Sequence, residues 1–180
     1  TLNEKAYVEI IEDQIKNGVH SLLTMGGTGE SLTLPRETKK RAMELAVKTV
    51  NHRVPVIASV VELSVYDAIE SAKVVKESGA DVLLLSNPYG GNTRLSGVID
   101  FFKMVDDAVD MPMIIYNFPG RTGYNVTPDI VGKLLDAVPN ICGIKECAER
   151  FEQTMELIGH FGDRMAVLSG NEFLGRSEEH

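Results

Sequence analysis

Short runs of apolar residues alternate along the chain with longer segments in which apolar residues recur every three or four positions. Each short run has the length of a strand and is apolar on both faces, which is typical of strands buried in a parallel sheet. The predicted strands are Val19–Met25, Val54–Val60, Ala80–Pro88, Met111–Asn117, Ile141–Glu146 and Met165–Asn171.

The segments between these strands have the apolar spacing of amphipathic helices. One of them opens with Thr127 and Pro128, and proline is favoured at the first position of a helix. The predicted helices are Asn3–Lys16, Pro35–Val50, Val65–Ser78, Leu95–Val109 and Thr127–Ala137. Strands that alternate with helices form βαβ units, so the pattern predicts an α/β protein with a parallel sheet.

Polar and glycine residues gather where the predicted strands end. They lie at 26–30, 87–92, 116–121, 145–146 and 170–171. In a doubly wound open sheet such residues concentrate near one point of reversal, whereas in a (β/α)8 barrel every strand contributes to the same face. The even spread therefore favours a TIM (β/α)8 barrel over an open sheet.

A barrel of this type has eight strands and about 250 residues. This chain has 180 residues, and its pattern gives six strands, with none before the first helix and none after Asn171. We therefore expect a single barrel domain over residues 1–180 that is incomplete, with the first and last strands absent.

The composition argues against several classes of protein. Lys and Arg number 18 against 26 Asp and Glu, and the net charge of -8 does not suit a nucleic-acid-binding protein, which needs a basic face. No apolar run is long enough to predict a membrane span, and the first residues lack a signal-peptide pattern. Cys142 and Cys147 are too few for a disulfide framework, so we expect reduced thiols and a cytoplasmic protein.

Lys145 and Tyr116 are the first candidates for chemistry, because each lies at the end of a predicted strand. On a barrel these two strands are neighbours, so the amine and the phenol would lie side by side at the barrel mouth. A lysine in apolar surroundings can form an imine with a ketone, and a phenol beside it can move protons. Taken singly, a solvated lysine beside Glu146 and an ordinary strand-end aromatic are the alternative interpretations.

Two loops offer groups that bind anions. The loop Gly26–Ser31 (GGTGES) has free backbone amides suited to a carboxylate or phosphate, although it matches neither a dinucleotide fingerprint nor a P-loop. Arg121 lies in a Pro/Gly-containing segment, and a guanidinium there is suited to clamping a carboxylate. A turn without a ligand and a solvated arginine are the alternatives. The scattered histidines give no metal-binding spacing, so no metal is expected.

Five segments together resemble the dihydrodipicolinate synthase / N-acetylneuraminate lyase family of class I pyruvate-dependent aldolases. They are GGTGES at 26–31, NPY at 87–89, YNFPGRTG at 116–123, GIKE at 143–146 and LSGN at 168–171, in the family's order and spacing. The resemblance implies a TIM barrel, usually a tetramer, that uses neither a metal nor another cofactor.

The resemblance also implies roles for individual residues. Lys145 corresponds to the lysine that forms a Schiff base with C2 of pyruvate, and Tyr116 to the general acid/base beside the imine. Thr28 corresponds to the loop threonine that hydrogen-bonds this tyrosine. The amides of Gly27 and Thr28 correspond to the pyruvate carboxylate site. Arg121 corresponds to the arginine that, in the synthases, holds the carboxylate of aspartate semialdehyde.

Two positions depart from the synthase pattern. Gly27 replaces the first threonine of GTTGE, and Gly90 follows Tyr89 where synthases usually have a second tyrosine, so two members of the Tyr–Thr–Tyr proton relay are absent. We expect a synthase-type aldolase or lyase that acts on pyruvate and an aldehyde, or on a 2-keto acid. A 2-keto-3-deoxy sugar-acid aldolase or dehydratase is one alternative, because GGTGE resembles the loop of such enzymes. A non-catalytic barrel that serves binding or assembly is the other.

Overall fold

Six parallel strands form one sheet in a computed structural model that describes residues 2–89 and 93–171. Each strand pairs with the next one along the chain, in the order β1-β2-β3-β4-β5-β6. The strands are β1 (Leu22–Thr24), β2 (Val56–Val60), β3 (Val82–Ser86), β4 (Met113–Asn117), β5 (Ile141–Glu146) and β6 (Ala166–Ser169).

Helices precede, connect and cover these strands. They are α1 (Glu4–Lys16), α2 (Arg36–Val50), α3 (Val65–Glu77), α4 (Leu95–Val109), α5 (Pro119–Thr122), α6 (Pro128–Ala137) and α7 (Phe151–Phe161). Among the residues that the structure describes, no helix combines the length and the apolar character needed to cross a membrane.

The strand order distinguishes between the two parallel architectures. A doubly wound sheet reverses its strand order at one point, whereas a barrel adds each new strand on the same side of the last. Here the order never reverses, so successive right-handed crossovers place the helices on one face of a curved sheet. The sheet therefore has the winding of a barrel section, as the polar pattern predicts.

Apolar residues pack on both faces of the sheet. The outer layer, between sheet and helices, includes Leu83, Leu85, Phe102, Met113 and Ile115, which are all at most 2% exposed. The inner layer, on the concave face, is a second cluster composed of Ile57, Val61, Leu84, Ile114, Tyr116 and Cys147. This double burial explains why the strand segments are apolar at successive positions.

All six predicted strands are confirmed, although most are shorter than the apolar runs that mark them. The shortest is β1, where Met25 takes a positive φ of 57° directly after the strand. The pattern did not predict α5 or α7. In α7 the apolar residues Phe151, Met155 and Ile158 recur at helical spacing but are exposed, whereas Gln153, Thr154 and Leu157 are buried, so the apolar stripe does not coincide with the buried face.

Candidate active site at the carboxyl-terminal edge of the sheet

Parallel strands bring their carboxyl ends to one edge of the sheet, and this edge holds the predicted chemical groups. Tyr116 on β4 and Lys145 on β5 are register partners. The Nζ atom of Lys145 lies 4.8 Å from the centre of the Tyr116 ring. Tyr116 is 6% exposed and Lys145 is half-buried. The structure therefore places the amine and the phenol together, as the sequence predicts.

A row of side chains continues from this pair, with the two aromatic rings of Tyr116 and Phe118 between Lys145 and Arg121. The ring centres of Tyr116 and Phe118 are 6.0 Å apart, and the guanidinium carbon of Arg121 lies 4.9 Å from the centre of the Phe118 ring. Cation–ring contacts of this kind orient the charged groups without neutralising them. Lys145 and Arg121 thus form the two ends of one continuous row of side chains.

One cavity borders Lys145 and has a volume of about 260 Å³. We call it the lysine cavity. Thr28 lines it together with Gly27 and other residues of the same loop, and Tyr7 from α1 also lines it. The Tyr7 hydroxyl and the Thr24 hydroxyl form a 2.6 Å hydrogen bond, which fixes α1 against the end of β1.

A second cavity of about 230 Å³ borders Tyr116 and Arg121, and we call it the arginine cavity. Tyr89 and Val61 line it, as do residues 30–33 of the loop after β1. Gly27 lines both cavities. The glycine loop is therefore the wall between the space beside the amine and the space beside the guanidinium.

Gly27 permits a close approach of Arg121 to the loop. A Cβ atom at position 27 would overlap Nη1 of Arg121 and would lie 3.0 Å from its guanidinium carbon. The guanidinium is exposed, and within residues 2–89 and 93–171 it has neither a carboxylate partner nor a hydrogen-bond acceptor. Because Gly27 has no side chain, the unpaired Arg121 guanidinium can lie against the cavity wall, where an anion can reach it.

Thr28 occupies a different place from the one that the resemblance implies. It is exposed on the lysine cavity, and no hydrogen bond joins it to Tyr116 in the part of the chain that the structure describes. Tyr116 lines the arginine cavity instead. The two residues therefore face neighbouring spaces, with Gly27 between them.

Burial controls the acidity of the groups around Lys145. It raises the pKa of Tyr116; the nearby Cys147 thiol adds to this effect, and the Arg121 guanidinium opposes it. Burial also raises the pKa of the Cys147 thiol, against the influence of Lys145. The phenol is consequently protonated at neutral pH and can donate a proton.

Several residues at this edge were not singled out from the sequence. Cys147 belongs to the inner cluster with Tyr116, and Phe118 packs against that cluster. Each stands two positions after a candidate residue, and side chains two apart in an extended segment share a face. Gly170, which follows β6, is also close: a Cβ there would overlap the Cys147 Sγ and lie 3.2 Å from Cε of Lys145. The glycine of LSGN therefore leaves room for the lysine.

Sequence comparison relates the chain to a family of known enzymes. A model of the dihydrodipicolinate synthetase family matches residues 1–178. The 4-hydroxy-tetrahydrodipicolinate synthase of Desulfotalea psychrophila is 41% identical over 172 residues, which are 96% of this chain and 58% of that protein.

Solved structures give the same relation. The dihydrodipicolinate synthase from Aquifex aeolicus is 34% identical, with a TM-score of 0.88. The chloride-inhibited dihydrodipicolinate synthase from Acinetobacter baumannii, complexed with pyruvate, is 34% identical with a TM-score of 0.89. Each match covers 94% of this chain and 58% of the other. The predicted TIM-type barrel is thereby confirmed as the fold to which the six strands belong, and the chain covers only part of it.

Proposed function

Because the chain belongs to the dihydrodipicolinate synthetase family, we propose that it forms part of a class I, pyruvate-dependent aldolase or lyase of the dihydrodipicolinate synthase type. The contact between Lys145 and Tyr116 at the carboxyl-terminal edge of the sheet carries this proposal. Enzymes with a (β/α)8 barrel hold their reacting groups at this edge. The chain spans 58% of the curated relative's length, which supports our proposal that residues 1–180 form a single, incomplete barrel domain.

Lys145 is the proposed nucleophile. Its neutral amine forms a bond from Nζ to C2 of pyruvate, and the former carbonyl oxygen leaves as water, which gives an iminium ion. Loss of a proton from C3 gives an enamine, whose C3 then forms a bond to the carbonyl carbon of an aldehyde. The aldehyde oxygen takes up a proton, and water releases the product and regenerates the amine. The reverse sequence cleaves a 2-keto acid.

Tyr116 is the proposed general acid/base for these proton transfers, because its ring lies beside the amine and its buried phenol is protonated at neutral pH. The loop amides of Gly27 and Thr28 are proposed to hold the pyruvate carboxylate in the lysine cavity, with the Thr28 hydroxyl as a further polar group there. Arg121 is proposed to hold a carboxylate of the second substrate in the arginine cavity.

The two other candidate functions differ in what they ask of the site. A 2-keto-3-deoxy sugar-acid aldolase or dehydratase is favoured by Gly27, which supplies no hydroxyl where the synthase pattern has a threonine. A non-catalytic barrel is disfavoured by the preserved contact between Lys145 and Tyr116. The experiment below gives a different result for each of these alternatives.

The setting of the enzyme is also part of the proposal. We propose a cytoplasmic homotetramer that acts on small molecules and binds neither nucleic acid nor membranes. The acidic net charge of -8 supports the statement about nucleic acid. The free thiols of Cys142 and Cys147 support the statement about location, and the resemblance to the family supports the statement about assembly.

Reductive trapping tests the proposed function directly. The full chain is mixed with pyruvate and borohydride, and the modified peptide is identified by mass spectrometry. We expect one adduct on Lys145, none in Lys145→Ala, and an unchanged adduct in Lys73→Ala, which alters an exposed lysine paired with Glu70. An adduct followed by a screen of aldehydes and keto sugar acids separates the two enzymatic candidates. A folded protein without an adduct would contradict the proposal and favour the non-catalytic barrel.

A further inference from the structure

A buried polar network lies directly behind the candidate site. Asn117 follows Tyr116 on β4, and Glu146 follows Lys145 on β5. Successive side chains of a strand point to opposite faces, so Asn117 and Glu146 face the helices while Tyr116 and Lys145 face the concave side. Asn117 is 0% and Glu146 is 1% exposed.

Both oxygens of the Glu146 carboxyl group accept hydrogen bonds. The side-chain nitrogen of Asn117 lies 3.0 Å from Oε1 and 2.9 Å from Oε2, and Nε2 of Gln153 lies 2.8 Å from Oε2. The backbone amide of Ala148 donates to Oε1. The backbone also joins the two strand ends, since the Cys147 amide donates a 2.8 Å hydrogen bond to the Asn117 carbonyl.

The network extends from the strands to a loop and a helix. The Asn117 oxygen accepts a 3.0 Å hydrogen bond from the Val126 amide, and its nitrogen lies 2.9 Å from Oδ1 of Asn125. Asn125 also donates to Oε1 of Gln153 on α7 at 2.8 Å. The ends of β4 and β5, the loop before α6 and the first turn of α7 are thus joined by one set of hydrogen bonds.

The composition of this network indicates that it fixes the positions of its members rather than adding stability. No Lys, Arg or His nitrogen within residues 2–89 and 93–171 lies within 4.0 Å of the Glu146 carboxyl group. Burying such a group without a cation contributes little stability compared with an apolar filling. A fully hydrogen-bonded network does, however, hold its members in one arrangement.

The register between β4 and β5 at their carboxyl ends depends on contacts of this kind. Their pairing shifts between Met113 and Ile114, so the alignment at the start of the strands does not fix the alignment at their ends. A slip of one residue would turn Lys145 away from Tyr116, because adjacent positions face opposite sides. The direct contact between these two is a 4.8 Å cation–ring approach, which tolerates movement more readily than the paired hydrogen bonds behind it.

We propose that Asn117 and Glu146 are positioning residues whose hydrogen bonds hold the Lys145 amine beside Tyr116 in the arrangement required for imine formation. This inference rests on the proposed function. Neither residue touches the reacting atoms; both act through the residue that precedes each of them in its strand.

Glu146→Gln is the test variant, because it keeps the size of the side chain but replaces one acceptor oxygen by an amide nitrogen. Each oxygen of Glu146 receives two donors, so the new nitrogen faces donors in either orientation. Asp106→Asn is the matched control. Asp106 is 5% exposed and accepts a 2.9 Å hydrogen bond from Asn140, but it lies at the end of α4, at the opposite edge of the sheet.

The measurement is the rate of borohydride trapping against pyruvate concentration on the full chain, together with urea unfolding. For Glu146→Gln we expect the maximal trapping rate to fall at least tenfold, while the half-saturating pyruvate concentration stays within twofold of the wild-type value. For Asp106→Asn we expect both values to stay within twofold. A general loss of stability lowers the maximal rate only in proportion to the unfolded fraction, which the urea curve gives. A tenfold fall in a variant that is folded under the assay conditions therefore indicates a misplaced amine.

Equal trapping rates in Glu146→Gln and the wild type, with only the urea midpoint lowered, would overturn the inference and leave the proposed function intact. A wild-type chain without any adduct would overturn both. If Glu146→Gln does not fold, Gln153→Met takes its place, since it removes one donor and keeps the pair of Asn117 and Glu146. A threefold fall in its maximal rate is then expected, and an unchanged rate would count against the inference.

Discussion

Two pairs of a carboxyl group and an asparagine lie at opposite edges of the sheet and are used differently. At the carboxyl-terminal edge, Glu146 accepts hydrogen bonds from Asn117, Gln153 and the Ala148 amide. At the amino-terminal edge, Asp106 accepts from Asn140, whose nitrogen also lies 3.0 Å from Oδ1 of Asp110. Both carboxyl groups are buried, yet among the residues that the structure describes Glu146 has donors on both oxygens and Asp106 on one.

The surroundings of Asp106 show the difference in electrostatic terms. Burial raises the pKa of Asp106 above its usual value, and the neighbouring Asp107 and Asp110 raise it further, against the hydrogen bond from Asn140. At this edge the chain tolerates a poorly compensated acid, because the pair only joins the end of α4 to the residue before β5. At the other edge the donors are complete, since the geometry of Lys145 and Tyr116 depends on them.

Removal of the two asparagines gives the largest expected contrast. Asn117→Ala leaves buried groups of Glu146 and Val126 short of partners, and we expect a loss of about 3 kcal/mol in the free energy of unfolding. Asn140→Ala removes one donor from Asp106 and one from the exposed Asp110, and we expect a loss of about 1 kcal/mol. Urea unfolding of both variants, followed by circular dichroism, measures the difference. Equal losses would show that the two pairs contribute equally to the free energy of unfolding.

A methyl group added to a glycine gives a second contrast, in activity rather than stability. In Gly27→Ala the new Cβ displaces the Arg121 guanidinium. We expect kcat/KM for an aldehyde that carries a carboxylate to fall about tenfold relative to a neutral aldehyde, which corresponds to one charge-assisted hydrogen bond. The ratio between the two aldehydes cancels any effect on pyruvate.

Gly159 is the control for this substitution, because it lies near the end of α7 and a Cβ there meets nothing within 4 Å. We expect Gly159→Ala to stabilise the chain by about 1 kcal/mol through helix propensity and to leave the aldehyde ratio unchanged. As a further check, Gly27→Ala in an Arg121→Ala background should have no additional effect on the ratio. An undiminished effect in that background would show that Gly27 does not act through Arg121.

The smallest expected effect concerns pH. The folded chain raises the pKa of Asp106, so just above the ordinary value of 3.8 the folded state binds more protons than the unfolded state. Its contribution to stability therefore falls as the pH rises through that window. We expect Asp106→Asn to lack this fall and to be slightly more stable than the wild type at pH 7. Urea midpoints from pH 3.5 to 7 test the sign, and a fall of the same size in the variant would contradict it.

The sequence predicts the strands and the edge that holds the site because both depend on local pattern. Apolar runs mark strands with two buried faces, and polar residues at their ends mark the mouth. The pairing of Lys145 with Tyr116 follows from adjacent strands in a barrel. The network behind them does not follow, because Asn117, Asn125 and Gln153 come together only when a loop and α7 pack on the strand ends.

Two other features lie beyond local pattern for physical reasons. The helix α7 has apolar residues at helical spacing, but it exposes three of them and buries Gln153 and Thr154, so the periodicity of the segment does not identify its buried face. The separation of Thr28 from Tyr116 depends on how the loop after β1 folds around Gly27, and no residue spacing determines that path. Gly90, the second departure from the synthase pattern, lies outside the described residues.

The row from Lys145 through Tyr116 and Phe118 to Arg121 also gives the protein a natural optical label. The chain contains no tryptophan and five tyrosines, so tyrosine dominates its near-ultraviolet absorption and dichroism. The Tyr116 ring has the Lys145 Nζ atom 4.8 Å from its centre and is fixed in a buried, asymmetric setting. Conversion of that nitrogen to an imine changes the field across the ring, so near-ultraviolet dichroism can follow the chemistry at Lys145 without an added dye.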